Sequence, residues 1–193
     1  MREDGELLFA YAREGDVKAL SELVVRHGVW MRAFLRSLLP GEADADDAFQ
    51  DAWMKVIRSA PSYRGGKVKS FLVAVARSAA IDRLRRGGRT VSLDAGCGTP
   101  AAAGVETGGA LADEIVDEGS PDPGERFESG ATAAEVRQAV RSLAWGPRQV
   151  LLMRIEGELA FKEIAAQLDV PLGTALTWMR TATLKLKEML GGK

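Results

Sequence analysis

The feature that most limits how this chain can fold is an acidic, glycine-rich stretch between residues 90 and 130. It carries nine acidic side chains, a single basic one (Arg126) and few aromatic residues. Such a composition cannot bury enough apolar surface to offset the entropy lost on ordering. We therefore predict a flexible acidic linker at residues 90–130, with separate folded blocks at residues 1–89 and 131–193.

Both flanking blocks show helical periodicity, and neither shows a sustained strand-like alternation. In the second block, a short helix over residues 161–168, a tight turn over 169–173 and a longer helix to about Leu190 form a helix-turn-helix pattern. The predicted fold class is all-α. Two small helical domains are joined by the linker, and the C-terminal one contains the helix-turn-helix.

The distribution of charge along the chain is uneven, although the net charge is only −1. The first block carries +4, the linker −8 and the last block +3. Two mildly basic blocks therefore flank an acidic linker. No run of 18 apolar residues occurs, and acids and arginines interrupt the N-terminal stretch, so we expect no membrane insertion, no signal peptide and a cytoplasmic location.

The residues able to carry out chemistry are sparse. The single cysteine, Cys97, and the single histidine, His27, lie far apart, which excludes an intramolecular disulfide and leaves a Cys/His zinc site without enough ligands. The nearest group of carboxylates, Asp46, Asp47 and Asp51, has no histidine, lysine or metal partner in the pattern. We expect no catalytic residue, no cofactor, no metal and no small-molecule substrate.

An acid-rich helix start allows two interpretations. Asp46, Asp47, Gln50 and Asp51 lie opposite the apolar stripe of a helix predicted over residues 43–60. Acids near a helix N-terminus stabilise the helix dipole in a solvated helix start. The same carboxylates could instead form the edge of a protein-binding surface.

A basic helix end is equally open to two interpretations. A long helix predicted over residues 67–86 ends in the sequence IDRLRRGGR, which contributes Arg83, Arg85, Arg86 and Arg89. Guanidinium groups bind phosphates with two parallel hydrogen bonds, and they also complement the negative end of a helix. Contact with nucleic acid and stabilisation of the helix end both fit this pattern.

Several stretches, in the same order along almost the whole chain, resemble the extracytoplasmic-function group of bacterial RNA polymerase sigma factors. The matching stretches are ADADDAFQDAWMKV, SFLVAVARSAAIDRLRR, TVSLD and LAWGPRQVLLMRIEGELAFKEIAAQLDVPLGTALTWMRTATLKLKEML. The resemblance implies a promoter-specificity subunit that is not an enzyme. Residues 1–89 would be sigma region 2, which binds core polymerase and melts the −10 element, and residues 131–193 would be region 4, which binds the −35 element.

The resemblance also implies roles for individual residues in the first block. Asp46, Asp47, Gln50 and Asp51 match the surface that binds the clamp coiled coil of the polymerase. The loop over residues 61–67 matches the segment that captures a flipped base, where stacking and hydrogen bonds can offset the few kcal/mol lost on unstacking. The residues carried over to the −10 element and its single strand are Pro61, Ser62, Tyr63, Arg64, Lys67, Lys69, Arg77, Arg83, Arg85 and Arg86.

The final helix departs from the family pattern, since relatives commonly place more basic residues there. Helical geometry directs Ala175, Met179, Ala182 and Leu186 inward. Leu176 and Trp178 would pack on neighbouring helices, contact thymine methyls or contact a protein partner. We predict a weak reader of the −35 element, whose candidate contacts are Thr174, Leu176, Thr177, Trp178, Arg180 and Thr181.

The partners implied by the resemblance are core RNA polymerase, through its clamp coiled coil and flap, promoter DNA and an anti-sigma factor. The sequence also allows two alternatives. The chain could be a helix-turn-helix regulator that binds duplex DNA directly, or a sigma-like protein that acts mainly through protein interaction.

Overall fold

The structure is a computed structural model that describes residues 2–87 and 132–191. The predicted linker, Cys97 and Arg89 lie outside the described residues. Every regular element in the described ranges is helical, which confirms the all-α prediction. The helices are α1 (Asp4–Glu14), α2 (Val17–Leu38), α3 (Glu42–Ser59), α4 (Val68–Arg86), α5 (Ala133–Ser142), α6 (Trp145–Ile155), α7 (Phe161–Leu168) and α8 (Leu172–Leu190), with a 3₁₀ turn at Ala60–Ser62.

The first domain contains α1 to α4, and small residues on α3 allow that helix to pack closely against its neighbours. Ala45, Ala48 and Ala52 are fully buried on the face of α3 that meets its neighbours. Because alanine lets helix backbones approach closely, α3 packs tightly against both α2 and α4. This packing brings the acidic N-terminal half of α3 beside the basic C-terminal end of α4.

Helix α4 is buried on more sides than its sequence pattern predicts. Helical periodicity predicts a buried seam of Val68, Phe71, Leu72, Val75 and Ala79. Phe71 and Val75 are only half-buried, whereas Val73 and Ala76, outside that seam, are fully buried. The reason is that α4 contacts α2 and α3, and its Val73 also meets the second domain. Hydrophobic periodicity along α4 predicts one buried face, and it cannot show that the second domain covers another face of the same helix.

The second domain contains α5 to α8, with α8 packed against each of the other three helices. Helix α7 begins with the Glu163 carboxylate accepting a hydrogen bond from the Ala160 amide at 2.9 Å. It ends at Asp169, whose left-handed conformation (φ 55°) turns the chain towards Pro171, the N-cap of α8. These local bonds form the predicted helix-turn-helix.

Helix α5 packs differently from the prediction. Helical periodicity predicts Ala133, Val136, Val140 and Leu143 on its buried face. Val140 and Leu143 are buried, but Ala133 and Val136 are exposed, and Ala139 is buried as well. The helix contacts its neighbours mainly through its C-terminal half. Its N-terminal turn is instead stabilised by the Thr132 side chain, which accepts a hydrogen bond from the Glu135 amide.

The two domains contact each other at the C-terminal end of α2. The Arg141 guanidinium donates two hydrogen bonds to the Arg36 carbonyl oxygen, at 3.1 and 2.7 Å, and Arg148 donates to the Leu38 carbonyl oxygen at 3.4 Å. The last carbonyls of a helix have no partner within that helix, so these arginines satisfy groups that otherwise need water. None of the described helices is both long enough and apolar enough to cross a membrane.

Candidate nucleic-acid and polymerase interfaces

The predicted polymerase-binding acids and the predicted DNA-binding arginines lie side by side. Arg83 bridges Asp44 and Asp47, with nitrogen–oxygen distances of 3.0 and 2.5 Å, and Arg86 lies 3.1 Å from Asp51. The hydrogen bond to Asp44, together with the nearby acids, raises the pKa of Arg83. The sequence predicted the two groups separately, and the α3–α4 packing joins them in one ion-pair network.

Asp46 and Gln50 lie on the other side of α3, towards α2. The Asp46 carboxylate is 3.4 Å from the Arg32 guanidinium, which also stands 4.7 Å from the centroid of the Phe49 ring. Gln50 is exposed, and the side chains of Asp46 and Asp47 keep 44% and 50% of their surface accessible. Exposed ion pairs of this kind contribute little to stability, so these acids can exchange an internal partner for one on another protein.

The loop that begins at Pro61 holds its tyrosine in place. The Tyr63 ring lies 5.3 Å from the Phe9 ring and 5.4 Å from the Phe71 ring, and its hydroxyl donates to the Gly66 carbonyl at 2.6 Å. Burial raises the pKa of Tyr63. Tyr63 therefore positions the loop, and the exposed side chains there are those of Pro61, Ser62, Arg64 and Lys67.

Three of the predicted DNA-binding cations face the second domain. Arg77 donates from Nε to the Gln149 side-chain oxygen at 2.5 Å. Lys67 lies 3.1 Å from Glu163, and Lys69 lies 2.8 Å from Glu158. Burial lowers the pKa of Arg77. No periodicity argument could identify Gln149 as the partner, since it lies on a different domain.

Arg85 is placed differently from the other cations of α4. Its side chain is exposed at the last turn of the helix. Lys69, Arg77, Arg83 and Arg86 all have a side-chain partner, whereas the described residues offer Arg85 none within ion-pair distance. Arg85 is therefore available to a phosphate without breaking an internal contact.

The outer face of α8 is polar but weakly charged. Thr177 and Arg180 are exposed and Thr181 is half-buried, as helical geometry predicts. The Thr177 hydroxyl donates to the Gly173 carbonyl at 2.8 Å, and the Thr181 hydroxyl donates to the Thr177 carbonyl at 2.9 Å. Leu184, which helical geometry also directs outward, continues this face and is 58% exposed.

Leu176 and Trp178 occupy different environments. The Trp178 indole packs against the hydrophobic core beside Gly146, where an added Cβ would lie 3.0 Å from the ring. Leu176 is half-buried and is not among the side chains that pack on that core. Of the alternatives that the sequence left open for Trp178, internal packing is the one that the contacts support.

Comparison with known families is consistent with this geometry. The Sigma-70 region 2 family model matches residues 23–90, and the Sigma-70, region 4 model matches residues 133–186. The ECF RNA polymerase sigma-E factor of Escherichia coli is 28% identical over 190 residues, which cover 97% of this chain and 93% of the relative. The ECF RNA polymerase sigma factor SigM of Mycobacterium tuberculosis is 40% identical over 86 residues, or 44% of this chain and 43% of the relative.

Two solved structures share the fold. CnrH in complex with the cytosolic domain of CnrY matches with a TM-score of 0.64 and 22% identity, covering 99% of both chains. The sigma factor RpoE of Bartonella quintana, in complex with the anti-sigma factor NepR, matches with a TM-score of 0.65 and 21% identity, covering 91% of this chain and 99% of the other. With both sigma regions matched in order and the helical fold shared, the chain belongs to the extracytoplasmic-function group of the sigma-70 family.

Proposed function

We propose that this chain is a promoter-specificity subunit that binds core RNA polymerase and directs transcription initiation at −35 and −10 promoter elements. The observation that carries this proposal is the ordered pair of family matches, region 2 over residues 23–90 and region 4 over residues 133–186. Members of this family are transcription initiation factors rather than enzymes. We accordingly assign this chain no catalytic residue, cofactor, metal or small-molecule substrate, and we place its action in the cytoplasm with the chromosome.

The first proposed surface binds the clamp coiled coil of the polymerase through Asp46, Asp47, Gln50 and Asp51. Its support is the exposed acidic half of α3, where the carboxylates are held only by exchangeable ion pairs. A basic partner helix could form ion pairs with the carboxylates of Asp46, Asp47 and Asp51 and a hydrogen bond with the Gln50 amide. The rim charges of such an interface govern the association rate more than the final affinity.

The second proposed surface recognises the −10 element through the loop beginning at Pro61 and the cations of α4. Arg64 and Arg85 are exposed and can approach a phosphate directly. Ser62 is exposed in the same loop, and its hydroxyl can donate to or accept from a base edge. Lys67, Lys69 and Arg77 reach DNA only after they leave their partners on the second domain.

The third proposed surface is α8, which reads the −35 element through Thr174, Thr177, Arg180 and Thr181. The position of α8 as the second helix of the helix-turn-helix supports its entry into a major groove. Leu176, half-buried and outside the core, supplies an apolar contact beside these residues. We assign the contact with the polymerase flap to this same domain.

An inhibitory partner belongs to the same proposal. RpoE of Bartonella quintana is bound to an anti-sigma factor in its solved structure. By extension, we propose that an anti-sigma factor binds this chain until a signal releases it. Pull-down from the native organism with the full chain as bait checks this assignment.

Reconstitution with core polymerase, followed by run-off transcription on genomic fragments, tests the function. Promoter-specific transcripts are the expected result. Tight duplex binding by the chain without any binding to core would instead favour the regulator alternative, and core binding without transcripts would favour a protein-interaction module.

Exchanging the charges of Asp51 and Arg86 distinguishes a direct contact of Asp51 with the polymerase from a role in stabilising the α3–α4 packing. We expect Asp51→Arg to weaken core binding, and this change also breaks the ion pair with Arg86. The double variant Asp51→Arg with Arg86→Asp restores an internal pair but presents the wrong charge to the polymerase. Recovery of core binding in the double variant would contradict a direct role for Asp51.

A further inference from the structure

The arrangement of the loop over residues 61–67 depends on the Tyr63 side chain. The loop backbone turns at Gly65 and Gly66, both with a φ of 104°, a conformation that residues other than glycine rarely adopt. The Tyr63 hydroxyl donates to the Gly66 carbonyl oxygen at 2.6 Å and so spans this turn. The exposed side chains of the loop precede and follow Tyr63 in the sequence. The position of the Tyr63 ring therefore determines how the loop presents them.

The Tyr63 ring contacts two other aromatic rings, one from α1 and one from α4. Its centroid lies 5.3 Å from that of Phe9 and 5.4 Å from that of Phe71, and both pairs of rings are tilted. Tilted rings at such distances attract each other beyond the area that they bury. The Arg13 guanidinium lies 5.1 Å from the centroid of the Phe9 ring. The loop is therefore held from α1 as well as from the helix that follows it.

Phe9 differs from the other two rings in what it packs against. Tyr63 and Phe71 pack on the hydrophobic core, whereas Phe9 is not among the side chains that do so. Among the described residues, Tyr63 is the one aromatic ring that Phe9 contacts. Helix α1 also precedes residues 23–90, which the region 2 family model matches. Neither core packing nor the family match therefore accounts for an aromatic residue at position 9.

We propose that Phe9 is a positioning residue for recognition of the −10 element, which holds the Tyr63 loop in the arrangement that receives a flipped base. The inference rests on the proposed function, because it takes residues 61–67 as the segment that captures this base. A loop that is ordered before DNA arrives loses less conformational entropy on binding. Phe9 acts through Tyr63 and needs no contact with DNA.

The size of the effect follows from the pair of rings. An aromatic pair of this geometry changes an equilibrium constant by about two- to tenfold. Phe9→Leu keeps an apolar side chain but removes the ring, so it should weaken binding of the −10 single strand by at most about tenfold. Phosphate contacts position a strand without reading its bases. The loss should therefore be smaller for a strand of the wrong sequence.

Two measurements on the full chain test this inference. Amide ¹⁵N relaxation and relaxation dispersion over residues 62–66 report the motion of the loop without DNA. Fluorescence anisotropy compares two single strands, one with the −10 sequence of a promoter identified by run-off transcription and one with that sequence scrambled. We expect Phe9→Leu to make the loop more mobile and to lower the ratio of the two affinities by about two- to tenfold. Phe9→Tyr keeps the ring and should retain the wild-type loop motion and ratio.

Tyr11→Leu is the matched control on the same helix. Tyr11 lies two residues from Phe9, which places it on the opposite side of α1, and it packs on the hydrophobic core. We expect this variant to lower the urea midpoint and to leave both the loop motion and the affinity ratio as in wild type. A purely structural role of Phe9 would make the two leucine variants behave alike.

Unchanged loop motion in Phe9→Leu overturns the inference, and so does a more mobile loop with an unchanged affinity ratio. Equal effects of Phe9→Leu and Tyr11→Leu on the loop and on the ratio overturn it as well. The proposed function fails by a different result, the absence of promoter-specific run-off transcripts from wild-type chain and core polymerase. Because loop motion is measured without DNA, it decides in either case whether Phe9 orders the loop.

Discussion

Trp178 can pack where it does only because residue 146 is glycine, since a Cβ at position 146 would lie 3.0 Å from the indole ring. The side chain thereby fills the seam between α6 and α8. Two residues earlier, Leu176 lies outside the core although it is equally apolar. The pair shows that hydrophobicity alone did not decide which residue of α8 packs inward.

Trp178→Ala should destabilise the protein much more than Leu176→Ala. Truncating a large, mostly packed aromatic costs about 2–4 kcal/mol, whereas a half-exposed leucine outside the core costs about 1 kcal/mol or less. Urea unfolding of the full chain, followed by circular dichroism, measures both free energies of unfolding. Equal losses in the two variants would contradict the assignment of Trp178 to the core.

A second residue-scale feature ties α1 to α2. The Trp30 indole donates to Nδ1 of His27 at 2.9 Å, so Nε2 of His27 carries the proton that faces Asp4 at 2.7 Å. Arg26 also donates to Asp4, at 2.8 Å. Burial opposes ionisation of Asp4, but these hydrogen bonds outweigh it and lower the pKa of Asp4. The single histidine therefore has a structural role.

Asp4 should make stability depend on pH in the acid range. A carboxyl whose pKa is lower in the folded state stabilises the protein fully above the unfolded pKa, which is about 3.9 for aspartate. That contribution is lost as the pH falls through the lower folded value. We expect Asp4→Asn to be less stable than wild type at pH 6, and the gap to close towards pH 2. A constant gap across urea unfolding curves from pH 6 to 2 would be inconsistent with this role.

Among the elements, the crossing of α3 and α4 has the largest consequence. Buried alanines allow the close approach, and the acids of one helix then meet the arginines of the other. The bonds of Arg83 are committed to this crossing, whereas Arg85, two residues later, projects into solvent. Two arginines of one cluster thus have separate roles.

Arg85→Ala and Arg83→Ala should separate DNA binding from helix packing. Loss of one phosphate contact lowers the salt slope of single-strand binding by about 0.7. We expect that change in Arg85→Ala with no shift in the urea midpoint, and a lower midpoint in Arg83→Ala because the contacts of Arg83 with Asp44 and Asp47 are lost. Oligonucleotide titrations at several salt concentrations, with parallel unfolding curves, measure both. A lower midpoint in Arg85→Ala would show that it also supports the fold.

The extents of the helices were accessible from the sequence because helix signals are local. Periodicity and breakers placed α3, α4 and α7 within one or two residues of their observed ends. Contacts between distant segments were not accessible in this way. Arg77 and Gln149 lie 72 positions apart, and nothing in either local pattern indicates the other. The candidate site residues were identified by family pattern, while their internal partners required the fold.

For the whole molecule, the net charge of −1 does not show how basic residues are distributed between the two domains. The cations of α4 are concentrated on one helix, whereas the described part of α8 exposes only Arg180, Lys185 and Lys187 as basic residues. Electrostatic attraction to DNA should therefore come mostly from the first domain. The second domain then contributes orientation and shape more than charge.

Duplex binding at the −35 element should accordingly depend only weakly on salt. With at most three cations available on α8, the slope of log affinity against log salt should not exceed about 3 in magnitude. Fluorescence anisotropy with a duplex that carries the −35 element but no melted region measures this slope. A slope of about 5 or more would require phosphate contacts beyond α8 and would contradict the prediction that α8 binds the −35 element weakly.

The packing of Trp178 against Gly146 also limits how the promoter preference of this protein can be re-engineered. Replacing α8 by a recognition helix that has a smaller side chain at position 178 would leave a hole beside Gly146, so a failed graft would report misfolding and not altered specificity. A productive library varies Thr174, Leu176, Thr177, Arg180, Thr181 and Leu184 while it keeps Trp178 and Gly146 fixed. New promoter preferences are therefore to be sought at these six positions of one helix.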